Sequence, residues 1–157
     1  MKRIEDKTFG TLEYDLYWEG SMKINMFEKE YSIILSIDGE DDGDFQDMQR
    51  QAFEKLKEKE QEIVSKMEES IFEYYQSICP ERRSILDPDV IDEVVPVITE
   101  KKELYSMVWP SQLILREMEE DRELAFLFDC NWDIDLGVGI RMINEEIDEV
   151  GTQDIVL

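Results

Sequence analysis

The sequence predicts an α+β fold, an antiparallel sheet or sheets packed against one long amphipathic helix, and three observations lead there. Between Asp44 and Ile78, apolar residues recur at steps of three or four: Phe45, Met48, Ala52, Leu56, Ile63, Met67, Ile71, Tyr74 and Ile78, with one step of seven across Lys59 and Glu60. That spacing is a single stripe on a helix, with Glu, Lys and Gln opposite. Upstream, alternating runs mark half-buried strands, and downstream alternation returns after a proline-rich stretch. A one-stripe helix needs an apolar bed, and a sheet supplies it.

Taken in order, residues 8–37 read as a three-strand meander. Thr8–Trp18 alternates Leu12, Tyr14, Leu16 and Trp18 with polar neighbours, Glu19-Gly20 reads as a turn, and Met22–Phe27 forms the second strand. Glu28-Lys29 turns into Tyr31–Ile37. Short connections of this kind join antiparallel neighbours. Asp38–Asp44 is a carboxylate-rich turn in which Asp44 is placed to cap the helix 44–78. Pro80 is expected to end that helix, because the residue before a proline is pushed out of the α region. Residues 79–99 read as a connector with one helical turn near Asp89–Val94. Thr99 then caps a short helix over 100–108, and Pro110 separates it from C-terminal antiparallel strands spanning 112–150, in which QLILREM and LAFLFDC make a hairpin about the EEDRE turn. The whole of 1–157 reads as one domain.

Composition narrows the function. The 157 residues hold 40 acidic and 17 basic side chains, giving −23 at neutral pH. A field of that sign repels nucleic-acid phosphates and anionic lipid and attracts basic proteins, so neither nucleic acid nor membrane is an expected partner. Histidine is absent, which removes the serine–histidine and cysteine–histidine hydrolase schemes. Cys79 and Cys130 have no CxxC spacing and read as small buried residues in a reducing compartment. No signal-peptide-like or membrane-spanning run is present, and a cytoplasmic location is expected.

Candidate chemistry is sparse. Asp38, Glu40, Asp42 and Gly43 imitate the start of a calcium loop, but its twelfth position is Gln49 and a strand precedes it where a helix should stand. Asp133 and Asp135 beside Trp132 resemble a carboxylate pair of glycosidase type, with nothing fixing their separation. Trp18, Trp109 and Trp132 read as core before they read as a stacking set. Arg82 and Arg83 are too few for a nucleic-acid patch. No glycine-rich phosphate loop occurs, and neither metal nor cofactor is expected.

The C-terminal run Cys130-Asn131-Trp132-Asp133-Ile134-Asp135-Leu136-Gly137-Val138-Gly139-Ile140, followed by Glu149-Val150-Gly151-Thr152-Gln153-Asp154-Ile155, resembles an uncharacterised bacterial domain family whose ending reads W-D-x-x-x-G-(V/L)-(G/A)-(V/I), then V-G-x-Q-D. Tyr17-Trp18-Glu19-Gly20 and Lys29-Glu30-Tyr31 extend the likeness over most of the chain. In that family histidine is common before the first glycine, where Leu136 stands here. The resemblance implies a domain of unknown function with relatives among the immunity partners of polymorphic and contact-dependent toxins. With the charge, it gives the expected function: a non-enzymatic acidic protein that binds and neutralises a cognate basic bacterial toxin, a nuclease being one candidate, through the partner-facing carboxylates Asp41, Asp42, Asp44, Asp133 and Asp135. The alternative is a housekeeping domain that binds a small ligand or associates with itself.

Overall fold

The structure, a computed structural model, describes residues 2–157. Among the described residues eight strands, β1 (Lys2–Asp6), β2 (Gly10–Tyr14), β3 (Trp18–Met26), β4 (Lys29–Ile37), β5 (Val108–Leu115), β6 (Glu123–Cys130), β7 (Val138–Ile143) and β8 (Glu146–Gly151), lie in sequence order in one sheet. Helices α1 (Asp47–Glu58), α2 (Glu60–Ile85) and α3 (Ile91–Val94) and a 3-10 helix (Lys101–Ser106) fall between β4 and β5; a second 3-10 turn, Gln153–Ile155, follows β8. The sheet is mostly antiparallel, with one exception. β4 and β5 run parallel, Ile37 opposite Leu115, because the helical segment between them returns the chain to its starting end.

One face of the sheet is the core. Met22 and Ile24 on β3, Leu35 and Ile37 on β4, Leu113 and Leu115 on β5, and Phe126 and Phe128 on β6 are buried there with Leu56, Ile63, Met67, Ile71 and Tyr75 of the helices. The opposite face is polar over β3 but covered over β6, where Val156 and Ile155 pack on Ala125 and Leu127. That second cover is why LAFLFDC reads as a continuous apolar run without alternation.

Several expected boundaries shift, each for a physical reason. The strand expected over Thr8–Trp18 is broken: Asp15–Tyr17 form the turn, Glu19-Gly20 lie inside β3, and an added strand, β1, pairs with β2 from Lys2↔Tyr14 to Asp6↔Gly10. Leu16, expected on the apolar face, is 83% exposed. The turn after β3 is Phe27-Glu28, both at positive φ, 54° and 62°, the geometry of a two-residue hairpin.

The single helix expected over 44–78 is two, broken at Lys59 (φ −119°, ψ 33°), where the stripe skips a turn. Asp44 does not cap it. Gln46 does, its N–H donating to Gln49 Oε1 at 2.9 Å, while the buried Gln49 amide donates to Asp38 O (2.8 Å) and Leu115 O (3.0 Å) and so ties α1 to the ends of β4 and β5. Pro80 lies inside α2, which runs on to Ile85. Tertiary bonds hold the helix through it: Tyr75 Oη donates to Pro96 O at 2.5 Å, and Arg83 reaches Val95 O (2.8 Å) and the Asp92 carboxylate (2.9 Å). The buried positions accordingly run Ile71, Tyr75, Cys79 rather than Ile71, Tyr74, Ile78.

The short helix expected over 100–108 is a 3-10 helix capped at Glu100, with Glu103 accepting from the Thr99 and Glu100 amides. Pro110 sits within β5 at a register shift, where a missing N–H is tolerated. The helical turn expected near Asp89–Val94 is present as α3.

Candidate interaction surface at the end of helix α2

The connection between β6 and β7 folds over the last turns of α2, and the residues of the W-D-x-x-x-G pattern build it. Trp132 is buried edge-on against Tyr75, ring centroids 4.8 Å apart. Asp133 accepts from the Leu136 amide through Oδ1 (3.1 Å) and pairs with Arg82 through Oδ2 (2.6 Å), so both oxygens are engaged and its side chain is 14% exposed. Gly137 has φ +53°, and a Cβ there would stand 2.3 Å from Phe128 O and 2.5 Å from Gln153 Nε2. Only glycine fits such a turn. The Gln153 side chain donates to Phe128 O at 2.8 Å, and the Gln153 N–H to Leu136 O at 2.8 Å, which closes the V-G-x-Q-D segment onto the same turn.

Beside this turn lies a shallow cavity of about 290 Å³, lined among others by Tyr74, Ile78, Arg82, Ile85, Asp133 and Leu136. Its walls mix Glu81, Arg82, Asp133 and Thr152 with exposed aliphatic groups: Ile85 is 70% exposed and Leu136 48%, while Ile134, in the same turn but outside the lining, is 83% exposed. Exposed aliphatic side chains on so polar a chain are the residues that strand and helix periodicity misses. They lie in a turn and beyond Pro80, where no period exists to mark them. Burial raises the Tyr74 phenol, with the Asp133 carboxylate adding to the effect, so it stays neutral. Burial likewise pushes the Cys130 thiol up to about 12, which leaves it protonated and unreactive.

The five carboxylates expected to face a partner do not form one patch. Asp41, Asp42 and Asp44 are exposed in the loop after β4, where Asp42 Oδ1 accepts from the Asp44 amide (3.0 Å) and Lys2 donates to Asp41 O (2.8 Å). Asp133 and Asp135 follow β6. Ile37 pairs with Leu115 at one end of β5 and Cys130 with Val108 at the other, so the two groups lie at opposite ends of the sheet. At roughly 3.3 Å per residue that separation is on the order of 25 Å. Asp135 is exposed, whereas Asp133 is taken up by Arg82. Among the described residues no group of three or more Cys, Asp and Glu stands close enough to hold a metal ion. Nor, among them, is any helix long and apolar enough to cross a membrane.

Trp18, like Trp132, is a core residue: it is buried, its indole N–H donates to Glu40 O at 2.8 Å, and it packs edge-on against Phe45, whereas Trp109, expected in the core with them, is 37% exposed on β5. Arg82 and Arg83 are both committed to ion pairs. No curated protein and no solved structure matches the chain. A family model does, over residues 8–157. The β6–β7 turn and the segment that closes on it lie within that span, and the chain belongs to the family described as a domain of unknown function, DUF6985.

Proposed function

We infer that this protein is a non-enzymatic immunity protein, which binds a cognate basic toxin domain and neutralises it in the cytoplasm of a bacterium. One observation carries the reading: Ile85 and Leu136 stand exposed on the wall of the α2 cavity, and Ile134 is exposed in the same turn as Leu136, on a chain whose net charge is −23. Apolar anchors supply affinity once desolvated, and the surrounding carboxylates steer a cationic partner onto them. Asp135 and Glu81 flank the anchors without an ion-pair partner among the described residues. Asp41, Asp42 and Asp44, at the far end of the sheet, add to the long-range field but not to this contact.

The test is whether the adjacent reading frame encodes a basic protein domain that this chain binds, followed by stopped-flow association with that domain. Raising salt from about 0.05 M to about 0.5 M is expected to slow association tenfold or more, since the Debye length shrinks several-fold over that range. Ile134→Asp is expected to weaken the complex by about tenfold or more, acting on dissociation. Absence of binding, or salt-independent association, would overturn the reading.

A further inference from the structure

The sheet has an interior edge. β3 pairs with β4 along its whole length, from Trp18↔Ile37 to Met26↔Lys29, but with β2 at only two positions, Glu13↔Glu19 and Tyr14↔Trp18. The cause is Gly20. A Cβ there would meet Thr11 O at 2.7 Å and a Leu12 methyl at 2.8 Å, so β2 passes too close over β3 at this glycine for the ladder to continue. From Ser21 to Asn25, β3 therefore has no paired strand on that side among the described residues.

The register says which main-chain groups are left. The two-residue Phe27-Glu28 turn makes Met26↔Lys29 a hydrogen-bonded pair, and alternation along the ladder turns the N–H and C=O of Met22 and Ile24 toward β4. Those of Ser21, Lys23 and Asn25 face the open side. All three residues are exposed, and among the described residues no turn, loop or cap hydrogen bond uses their main-chain groups. A ladder of this length, about 17 Å, is a ready template for an added strand.

Where β2 departs, a cavity of about 510 Å³ opens, lined by Glu13, Asp15, Leu16, Tyr17, Glu19 and Ser21 among others, with no basic residue on its walls. Among the described residues none of these carboxylates has an ion-pair partner, and Leu16 and Tyr17 are 83% and 43% exposed. The outer edges of the sheet differ. β1 carries Lys2 and Arg3, and on β8 Asp148 and Glu149 are already paired with Arg141.

We propose that the open β3 edge, Ser21–Asn25, accepts an extended cationic segment of a protein partner as an added strand, entering through the acidic notch beside Glu13, Asp15 and Glu19. Main-chain hydrogen bonds supply the affinity, while Leu16 and Tyr17 give the segment apolar contact. A second copy of the chain is the wrong occupant, since two bodies at −23 repel and Lys23 interrupts an otherwise self-complementary edge. The assignment rests on the chain's binding a cationic protein, but it names a different surface from the α2 cavity, so the two fail separately.

The probe is a blocked octapeptide of alternating lysine and valine, beside the same peptide N-methylated at alternate residues. Amide exchange followed by NMR is expected to show new protection at Ser21, Lys23 and Asn25, and methylation to weaken binding by about tenfold or more through loss of several hydrogen bonds. Lys23→Pro is expected to abolish peptide binding; if that variant does not fold, the methylated peptide against the unaltered chain decides alone. Equal affinity of the two peptides, no binding, or protection of the same amides by self-association without peptide would each overturn the assignment. Loss of peptide binding with retained capture of the basic toxin domain would overturn it while leaving the wider function standing.

Discussion

Gly10 and Gly137 both hold positive φ, +80° and +53°, yet their surroundings are opposite: nothing lies within 4 Å of a Cβ at Gly10, whereas one at Gly137 would enter Phe128 O and the Gln153 amide. Gly10→Ala is therefore expected to lose about 1 kcal/mol, the conformational term alone. Gly137→Ala adds a main-chain collision and is expected to lose roughly 3 kcal/mol or more. Denaturant unfolding of the two variants separates the terms, and equal losses would show that the β6–β7 turn yields. Asp6 offers a second test at this scale. Burial would raise its pKa, but the Arg50 guanidinium at 2.8 Å and the Thr8 and Phe9 amides outweigh it and hold the carboxyl below its ordinary value. A lowered folded pKa means stability that is present above the unfolded value, near 4, and lost as pH falls through the folded one. Asp6→Asn is expected to flatten the acid limb of the stability curve below about pH 4; an unchanged limb would remove Asp6 from the account.

At the scale of elements, the helix stripe and the strand alternation were legible because each is a period imposed by burial on one side. What escaped was set by contacts distant in sequence. Nothing near Pro80 signals that Arg83 will reach Val95 O and Asp92, or that Arg82 will pair with Asp133, yet these bonds keep α2 helical past the proline. Gln49, which in the sequence only fails the twelfth position of a calcium loop, is 1% exposed and bonded to the ends of two strands. The step of seven at Lys59 was visible, and its meaning, a break between α1 and α2, became plain only with the backbone angles. Of the surface, the sequence marked Asp133 and Asp135 but neither the exposed Ile85 and Ile134 nor the vacant side of β3, since an unpaired edge is a property of pairing and not of composition. Pro80 gives the element-scale prediction. Its exposed ring removes the N–H that would bond to Gln76 O, so Pro80→Ala is expected to stabilise the protein by about 1–3 kcal/mol. A lower midpoint in thermal unfolding would mean that the proline holds a bend the packing of α2 requires.

Over the whole molecule the charge is the controlling quantity, because the basic residues are largely spent. Arg50, Lys66, Arg82, Arg83, Arg116, Arg122 and Arg141 all stand in ion pairs, with Asp6, Glu146, Asp133, Asp92, Glu123, Glu145 and Asp148. The excess of 40 acidic over 17 basic side chains is thus left as carboxylates without cations, and folding crowds them. Salt acts on both populations. It weakens surface pairs worth about 0–1 kcal/mol each, and it relieves a repulsion summed over many longer distances. The longer distances are screened first, since the Debye length falls from about 30 Å at 0.01 M to about 10 Å at 0.1 M, while pairs at contact are hardly touched. The thermal midpoint is therefore expected to rise with sodium chloride over this range and to level off above it, and a midpoint that falls from the first addition would mean that the ion pairs, not the excess charge, govern stability. If the proposed function holds, the same screening slows capture of a basic partner, so the conditions in which this protein is most stable would be those in which it finds such a partner least quickly.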